Sequence, residues 1–214
     1  MNNSERFWDR MSKNWDKPIK KLNDITLKTI DRTKKHLKID DNVLDYGCGI
    51  GTITIEIANN VKEIVAIDIS SGMIDVAIRK AGDRKIENIK FAQSTIFDER
   101  YKKESFNVIV AFNILHLLKD TKKVIHRIND LLMPGGLFIS ATASLGEKNT
   151  FLSFSLSLLS KIGIIPYVTN YNISDLKDLI VEGNFQIIET EHLSHKPPNY
   201  FIAAKKSSNN IEIN

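Results

Sequence analysis

The most informative segment of the chain is Val43-Leu44-Asp45-Tyr46-Gly47-Cys48-Gly49-Ile50-Gly51. An apolar segment that ends in an acid and is followed by alternating glycines is typical of a buried strand that turns into a helix. Glycines permit a tight turn and let a ligand touch the main chain, and the helix N-terminus behind them favours a carboxylate or a phosphate. The pattern predicts a ligand-binding loop in which Asp45 accepts a hydrogen bond from a ligand amine.

A second acid, Asp68, ends the next apolar segment. A carboxylate at that place suits a ribose, because it can accept hydrogen bonds from two hydroxyls. A dinucleotide-binding loop would have its last glycine where this chain has Thr52, and Asp45 would repel a diphosphate. The same acid suits an ammonium group. The two acids therefore predict a nucleoside joined to an amino acid, a description that fits S-adenosylmethionine.

Apolar periodicity and turn residues predict five strand–helix units and a final hairpin. The strands are expected at Asn42–Tyr46, Glu63–Asp68, Ile89–Gln93, Phe106–Phe112, 137–142, 185–190 and 200–204. Two N-terminal helices precede them, the second at 24–37, and another helix is expected at 151–165. This order predicts an α/β fold with a mostly parallel sheet of seven strands, helices on both faces and an antiparallel C-terminal hairpin.

In this order, the motifs resemble those of the class I S-adenosylmethionine-dependent methyltransferases, which have a Rossmann-like fold. The resemblance covers nearly the whole chain after residue 40. The glycine loop from Asp45 to Gly51, with Cys48 inside it as a small residue, is similar to the family's first motif. Asp68 with the adjacent Ile69 is similar to its ribose-binding acid, and Met73 would pack on the adenine.

The resemblance also implies contacts at the other strands. Ser94, Thr95 and Ile96 fall where the family binds the adenine edge, although many members have an aspartate in place of this serine. In the segment that resembles the fourth motif, Asn113 would touch the methionine head or the acceptor. His116 would lie where donor and acceptor meet, either as a general base or as a group that orients the acceptor.

Two segments are expected to cover the pocket. Phe7-Trp8-Asp9 with Trp15 looks like the opening segment that folds over the cofactor in many small-molecule members, and the alternative is simple packing of an amphipathic helix. Residues 151–165 resemble the substrate-side insertion, which predicts a lid, with ordinary packing or membrane contact as alternatives. Tyr167 and Tyr171 follow and are candidates to reach into the pocket.

The expected organisation is a single methyltransferase domain over residues 1–206. It comprises an N-terminal helical cap at 1–40, a cofactor-binding core at 41–143, and, at 144–206, the substrate-side insertion, the last helix and the terminal hairpin. Residues 207–214 are polar and predict a flexible tail. No pattern indicates an oligomeric state.

Composition narrows the class of protein. The chain has 214 residues, of which 42% are hydrophobic and 26% charged, as in a globular protein. The single cysteine excludes an intramolecular disulfide and favours a reducing, cytoplasmic location. The longest apolar stretch is too broken for stable membrane insertion, and no histidine or cysteine spacing predicts a metal site.

The net charge of +4 is uneven, since residues 1–40 hold 11 basic against 6 acidic residues. Such an excess could attract nucleic acid, but a nucleic-acid-binding domain usually has a stronger and more clustered one. We therefore expect no nucleic-acid partner.

The resemblance narrows the methyl acceptor. Amino-group DNA methyltransferases of this superfamily have Asp/Asn-Pro-Pro-Tyr/Phe after the fourth strand, where this chain has Asn113-Ile114-Leu115-His116. Methylation at C5 of a base needs a cysteine near that strand, and Cys48 lies elsewhere. We expect in-line transfer to a small, apolar acceptor, with S-adenosylhomocysteine as product. The alternatives are a protein or tRNA methyltransferase and a non-catalytic module that binds S-adenosylmethionine.

Overall fold

The computed structural model describes residues 3–15, 21–144, 146 and 165–207. Of the predicted helix and lid at residues 151–165, only Ile165 lies within these ranges. The predicted tail lies outside them as well, except for Ser207.

The seven strands form one sheet in the order β3-β2-β1-β4-β5-β7-β6. The first five strands are parallel, and β7 pairs antiparallel with both β5 and β6. The predicted fold class is thereby confirmed. The strands are β1 Asn42–Tyr46, β2 Glu63–Asp68, β3 Ile89–Gln93, β4 Phe106–Phe112, β5 Leu132–Ala143, β6 Phe185–His195 and β7 Pro198–Lys206.

Six α-helices accompany the sheet within the described ranges. They are α1 Asn3–Trp15, α2 Asp24–Lys34, α3 Thr52–Ile57, α4 Ser71–Asp83, α5 Thr121–Leu131 and α6 Ile173–Glu182. Ser70 caps α4, because its hydroxyl accepts a hydrogen bond from the Met73 N–H. None of the helices in these ranges is long and apolar enough to cross a membrane.

The sheet is buried on both faces, which explains its continuous apolar strands. Successive residues of a strand point to opposite faces, so Leu44 packs into one cluster together with Ile109 and α5, while Val43 packs into the other with Val110 and Ile57. The strands β1 and β4 at the centre place their carboxyl ends side by side. Asp45 and Asn113 thereby come to the same edge of the sheet.

The predicted bounds of one helix and three strands need correction. Helix α2 ends at Lys34 rather than at residue 37, so His36, which the predicted helix includes, lies beyond it. Its Nε2 lies 2.7 Å from the Glu189 carboxylate, and its ring stacks on Phe201.

The other corrections concern the last three strands. Strand β5 begins at Leu132 rather than at residue 137, because Pro134-Gly135-Gly136 forms an irregularity within the strand. Leu132 pairs with Phe106, and pairing resumes only at Leu137, opposite Val108. Strands β6 and β7 are longer than predicted, since their hairpin pairing extends to His195 and Pro198.

Candidate active site

The glycine loop is held against strand β2. The amide groups of Gly47 and Cys48 donate to the Ile67 carbonyl at 2.8 and 3.0 Å, and the amide of Gly49 donates to Oδ2 of Asp68 at 3.0 Å. These bonds join the end of β1 to the end of β2. The loop is therefore fixed at the carboxyl ends of these two strands.

Two of its glycines are required for different reasons. Both have positive φ, 76° at Gly47 and 54° at Gly49, which costs an L-residue roughly 1–2 kcal/mol. A Cβ on Gly47 would come within 2.2 Å of Cδ1 of Ile114, whereas a Cβ on Gly49 would meet no protein atom within 4 Å. Gly47 is needed for packing, and Gly49 leaves an open face on which a ligand can approach the backbone.

Asp68 is both an anchor of the loop and a hydrogen-bond acceptor for a ligand. Its two oxygens accept the amides of Gly49 and Ser70, at 3.0 and 2.9 Å. Burial raises the pKa of the Asp68 carboxyl, the hydrogen bonds from Ser70, Gly49 and Ile69 oppose this increase, and the negative charge of Asp9 adds to it. A carboxylate has about four acceptor sites, so these three backbone hydrogen bonds leave acceptor capacity for a ligand hydroxyl.

Asp45 lies deeper, at 2% exposure. Its Oδ2 accepts a hydrogen bond from Oγ1 of Thr54 at 2.6 Å. Burial raises the pKa of Asp45 to about 7, the Thr54 hydrogen bond opposes this increase, and the charge of Asp68 adds to it. A ligand cation at this place would favour the ionised form, so a group with an ammonium complements this buried acid.

These residues line a pocket of about 1160 Å³, larger than the roughly 300–1,000 Å³ of common small-molecule sites. We call its wall at β1 and β2 the loop half. Most of the residues predicted to bind the cofactor lie there: Asp45, Gly47, Cys48, Gly49, Asp68, Ile69 and Met73.

The wall beside strand β4 and the start of α2 is called the β4 half. It contains Asn113, the apolar residues Ile114, Leu117 and Leu118, and two lysines, Lys21 and Lys119. Tyr167 also lines the pocket. Tyr171 instead packs against the core, where its hydroxyl donates to Oγ1 of Thr121 at 2.9 Å.

Five predicted site residues are not among the described residues that line the pocket: Gly51, Ser94, Thr95, Ile96 and His116. The space beside Gly51 is occupied by Ala77 and Phe91. The Ser94 hydroxyl donates to the Asp98 carboxylate at 3.0 Å, and Ile96 is fully buried in the core.

His116 lies on the short 3₁₀ turn Leu115–Leu117 that follows β4. Its Nδ1 is buried without a hydrogen-bond partner among the described residues, and its carbonyl accepts the Thr169 amide at 2.7 Å. Burial lowers the pKa of His116 to about 4. The imidazole is therefore neutral at physiological pH, and it is a weak base.

Helix α1 is anchored over the pocket by Asp9, which sequence reasoning left without a specific contact. One oxygen of this carboxylate accepts the Ser70 hydroxyl at 2.6 Å and the Gly72 amide at 3.1 Å. Unpaired backbone amides at a helix N-terminus attract a carboxylate. A predicted helix start at Ser70 is therefore a sequence feature that could have suggested an acidic partner such as Asp9. With α1 in place, Trp8 and Trp15 line the pocket, their ring centroids 6.1 Å apart.

The structure also bears on nucleophilic and metal chemistry. Burial raises the pKa of the Cys48 thiol well above its usual value, and the charges of Asp45 and Asp68 add to the increase. The thiol is thus protonated, and a protonated thiol is a poor nucleophile. In the described ranges no three His, Cys, Asp or Glu side chains are grouped so that they could hold a metal ion.

The loop half fits a nucleoside joined to an amino acid. Gly49 has an open face, Asp68 has spare acceptor capacity for a hydroxyl, and Asp45 is a buried acid that a cation would complement. Met73, at 1% exposure, supplies an apolar surface beside them.

Comparison with known proteins gives an independent result. A family model described as a methyltransferase domain matches residues 37–184, more than half of the chain. The uncharacterized methyltransferase YcgJ of Bacillus subtilis is 26% identical over 102 residues, which cover 48% of this chain and 40% of that protein. The ubiquinone biosynthesis O-methyltransferase of Pasteurella multocida is 29% identical over 150 residues, covering 63% and 62%. The chain spans less than two thirds of the length of either relative.

Solved structures share the fold. The crystal structure of YcgJ from Bacillus subtilis aligns with a TM-score of 0.70 at 16% identity, over 85% of this chain and 99% of that chain. Phosphoethanolamine N-methyltransferase 2 of Haemonchus contortus, in complex with phosphomonomethylethanolamine and S-adenosylhomocysteine, aligns with a TM-score of 0.71 at 17% identity, over 85% and 53%. The sheet order described above is therefore a known architecture.

Proposed function

The chain belongs to the methyltransferase-domain family, and we propose that it is an S-adenosylmethionine-dependent enzyme that transfers the methyl group to a small acceptor with an apolar body. The observation that carries this proposal is the geometry of the loop half, where Asp45 and Asp68 flank a glycine loop with one open face. Because both acids and the loop belong to two adjacent strands, one ligand can meet all three.

We assign roles to the loop half as follows. Asp68 accepts hydrogen bonds from the ribose hydroxyls, Asp45 balances the ammonium of the amino-acid end, and Gly49 lets the ligand lie against the backbone. Met73 and Ile69 pack on the adenine. The predicted contacts of Ser94, Thr95 and Ile96 with the adenine edge, and of Gly51 with the cofactor, stay proposals with weaker support, since these residues do not line the pocket in this structure.

S-adenosylmethionine supplies, when bound, a methyl group on a positively charged sulfur that the protein need not activate further. The chain's own contribution is to hold the acceptor in line with this group, and positioning alone is worth up to about 7–11 kcal/mol in favourable systems. Trp8 and Trp15 on α1 form part of the pocket wall. His116 is neutral and a weak base. We propose that it orients the acceptor, or that it removes a proton from an acceptor group that is itself acidic.

A small acceptor is favoured over a nucleic acid by the charges of the N-terminal segment. Arg32 pairs with Glu189 and Glu191 on β6, which lie outside this segment. Part of the basic excess of residues 1–40 is thus neutralised by acids of the same chain. We further propose that residues 1–206 act as one domain and that the enzyme is cytoplasmic, since its single cysteine suits a reducing compartment.

The test is methyl transfer by the purified full chain. A panel of phenols, amines, thiols and carboxylic acids is incubated with S-adenosylmethionine, and S-adenosylhomocysteine is measured. We expect turnover with at least one small acceptor, and its loss in Asp68→Ala but not in Asp75→Ala, which removes an exposed acid of α4. Binding of the cofactor without turnover on the whole panel would contradict the proposal and favour a binding module. Bulk tRNA and protein are assayed in parallel, and turnover on one of these alone would show that the acceptor is a macromolecule and not a small molecule.

A further inference from the structure

The two halves of the pocket carry opposite charge. The loop half contains two buried or half-buried acids, Asp45 and Asp68. The β4 half contains two lysines, Lys21 and Lys119, and no Asp or Glu of the described chain other than those two acids lines the pocket. The order of the strands explains the position of Lys119, which follows β4, because β4 adjoins β1 on the side away from β2.

Neither lysine is neutralised by an acid among the described residues. No Asp or Glu of the described ranges lies within ion-pair distance of the Nζ of Lys21 or Lys119, and neither ammonium has a hydrogen-bond partner there. Arg32, by contrast, is paired with Glu191. Two cations that line one pocket and have no acidic partner among the described residues are available to a ligand.

Asn113, in the β4 half, provides a hydrogen-bond donor of fixed orientation. Its Oδ1 accepts a hydrogen bond from Nδ2 of Asn199 at 3.0 Å, and Asn199 is buried at 5% exposure. Since the carbonyl oxygen of the Asn113 side chain is engaged, its amide N–H groups are the part left for a ligand. Asn199 therefore acts as a positioning residue that makes Asn113 a donor.

The remaining wall of the β4 half is apolar. Ile114, Leu117 and Leu118 line it, and Pro166 and Tyr167 face the same space. A ligand that fits this half has an apolar body for this wall and a negatively charged group for the two lysines.

We propose, on the basis of the methyltransferase function above, that the acceptor is an apolar small molecule with an anionic group, which Lys119 and Lys21 bind and Asn113 helps to orient. A carboxylate and a phosphate share the required chemistry. The cation pair makes the acceptor site select against the neutral analogue of the same body.

The first test uses two probes that differ in charge. 1-Anilinonaphthalene-8-sulfonate has an apolar ring system with a sulfonate, and N-phenyl-1-naphthylamine has the same rings without it. Fluorescence titrations are made with the wild type and with Lys119→Glu, Lys21→Glu and Lys119→Arg, each with and without S-adenosylhomocysteine. Lys103→Glu is the matched control, since it makes the same change of charge at an exposed lysine outside the pocket.

We expect each reversal in the pocket to weaken sulfonate binding about three- to tenfold, the range for a partly exposed ion pair that becomes a repulsion. Binding of the neutral probe should not change in any variant. Lys119→Arg keeps the positive charge and should retain sulfonate binding, and the control Lys103→Glu should bind both probes as the wild type does. Equal losses for both probes, or unchanged sulfonate binding in both reversals, would overturn the proposal.

The second test is turnover on matched acceptors: aryl carboxylates, aryl phosphates and the corresponding neutral amides. We expect kcat/KM to favour one anionic class over the amide and this preference to fall in Lys119→Glu. A preference for the amide would overturn the anionic acceptor. If S-adenosylhomocysteine fails to bind while sulfonate binding still depends on the lysines, the methyltransferase proposal fails and the anion site stands.

Discussion

The loop half and the β4 half of the pocket are built in different ways. The loop half comes from two adjacent strands and the turn between them, so its acids and glycines are close in sequence and held by main-chain hydrogen bonds. The β4 half gathers residues from the start of α2, the turn after β4 and, through Asn199, strand β7. The first half is therefore fixed by the main chain, whereas the second depends on side chains from segments that are distant in sequence.

The largest effect is expected at the point where the halves touch. Gly47→Ala would place its Cβ 2.2 Å from Cδ1 of Ile114, at positive φ, and should cost about 2–5 kcal/mol of stability. We expect a lower melting temperature and at least about a hundredfold weaker binding of S-adenosylhomocysteine, because both halves shift.

Gly82→Ala is the control for this change. Gly82 lies in α4, and its added Cβ would meet no atom within 4 Å, so the variant should be as stable as the wild type or more so. Calorimetric melting and ligand titration measure both variants. If Gly47→Ala melts and binds like Gly82→Ala, the packing of the loop against Ile114 is not what shapes the pocket.

Asp68→Ala should separate the two halves. It removes an acceptor for ribose hydroxyls and for the amides of Gly49 and Ser70, and a charged hydrogen bond is worth about 1.5–3 kcal/mol. We expect S-adenosylhomocysteine to bind about 10- to 100-fold more weakly, with unchanged binding of anilinonaphthalene sulfonate. A loss of both ligands together would show that the halves are not independent.

A smaller effect concerns protons in the loop half. At pH 6 most of Asp45 is protonated, since burial raises its pKa to about 7, and the ammonium of the cofactor favours the ionised form. Binding should therefore release close to one proton. Calorimetry in two buffers of different ionisation enthalpy measures it, and Asp45→Asn should remove the difference. Equal buffer dependence in the variant would place the proton elsewhere.

Folding stability depends on Asp45 in the opposite sense to that of an ordinary surface acid. Its folded pKa is above the unfolded value, so the folded state binds more protons between about pH 4 and 7, and stability falls as the pH rises through this window. Asp45→Asn should melt with a weaker fall over that range, as thermal scans at several pH values would show. A fall as steep as in the wild type would mean that Asp45 is not buried as a neutral acid.

The smallest effect is expected at His116 on the β4 side. Its folded pKa of about 4 is below the unfolded value, so the unfolded state binds more protons below about pH 6.5 and stability falls as the pH decreases. His116→Gln should lose less stability between pH 7 and 5 than the wild type, with the exposed His126→Gln as control. We expect kcat to change about tenfold or less. A loss of about a hundredfold or more would instead make His116 the general base.

The comparison of the halves also explains what the sequence could predict. The bounds of the first four strands and the pairing of the final hairpin follow from apolar segments and turn residues. Asp45, Gly49 and Asp68 could be predicted as pocket residues because each follows or ends an apolar strand that is recognisable from its neighbours in the sequence.

Apart from Asn113 and Tyr167, the residues of the β4 half could not be predicted in this way. Lys21 and Lys119 resemble any surface lysine in the sequence, and Asn199 lies in a Pro-Pro-Asn-Tyr segment that suggests an unrelated motif. Their roles depend on which segments the sheet order brings together. The same holds for His36, whose contacts with Glu189 and Phe201 join residues far apart in the chain.

A calorimetric titration distinguishes the candidate cofactors of the glycine loop. Purified wild-type chain is titrated with S-adenosylmethionine, S-adenosylhomocysteine and NAD. We expect one site with micromolar affinity for both sulfur compounds and no binding of NAD, because Asp45 repels a diphosphate. A folded sample that binds NAD, or that binds neither sulfur compound, would contradict the assignment of the glycine loop and of both acids.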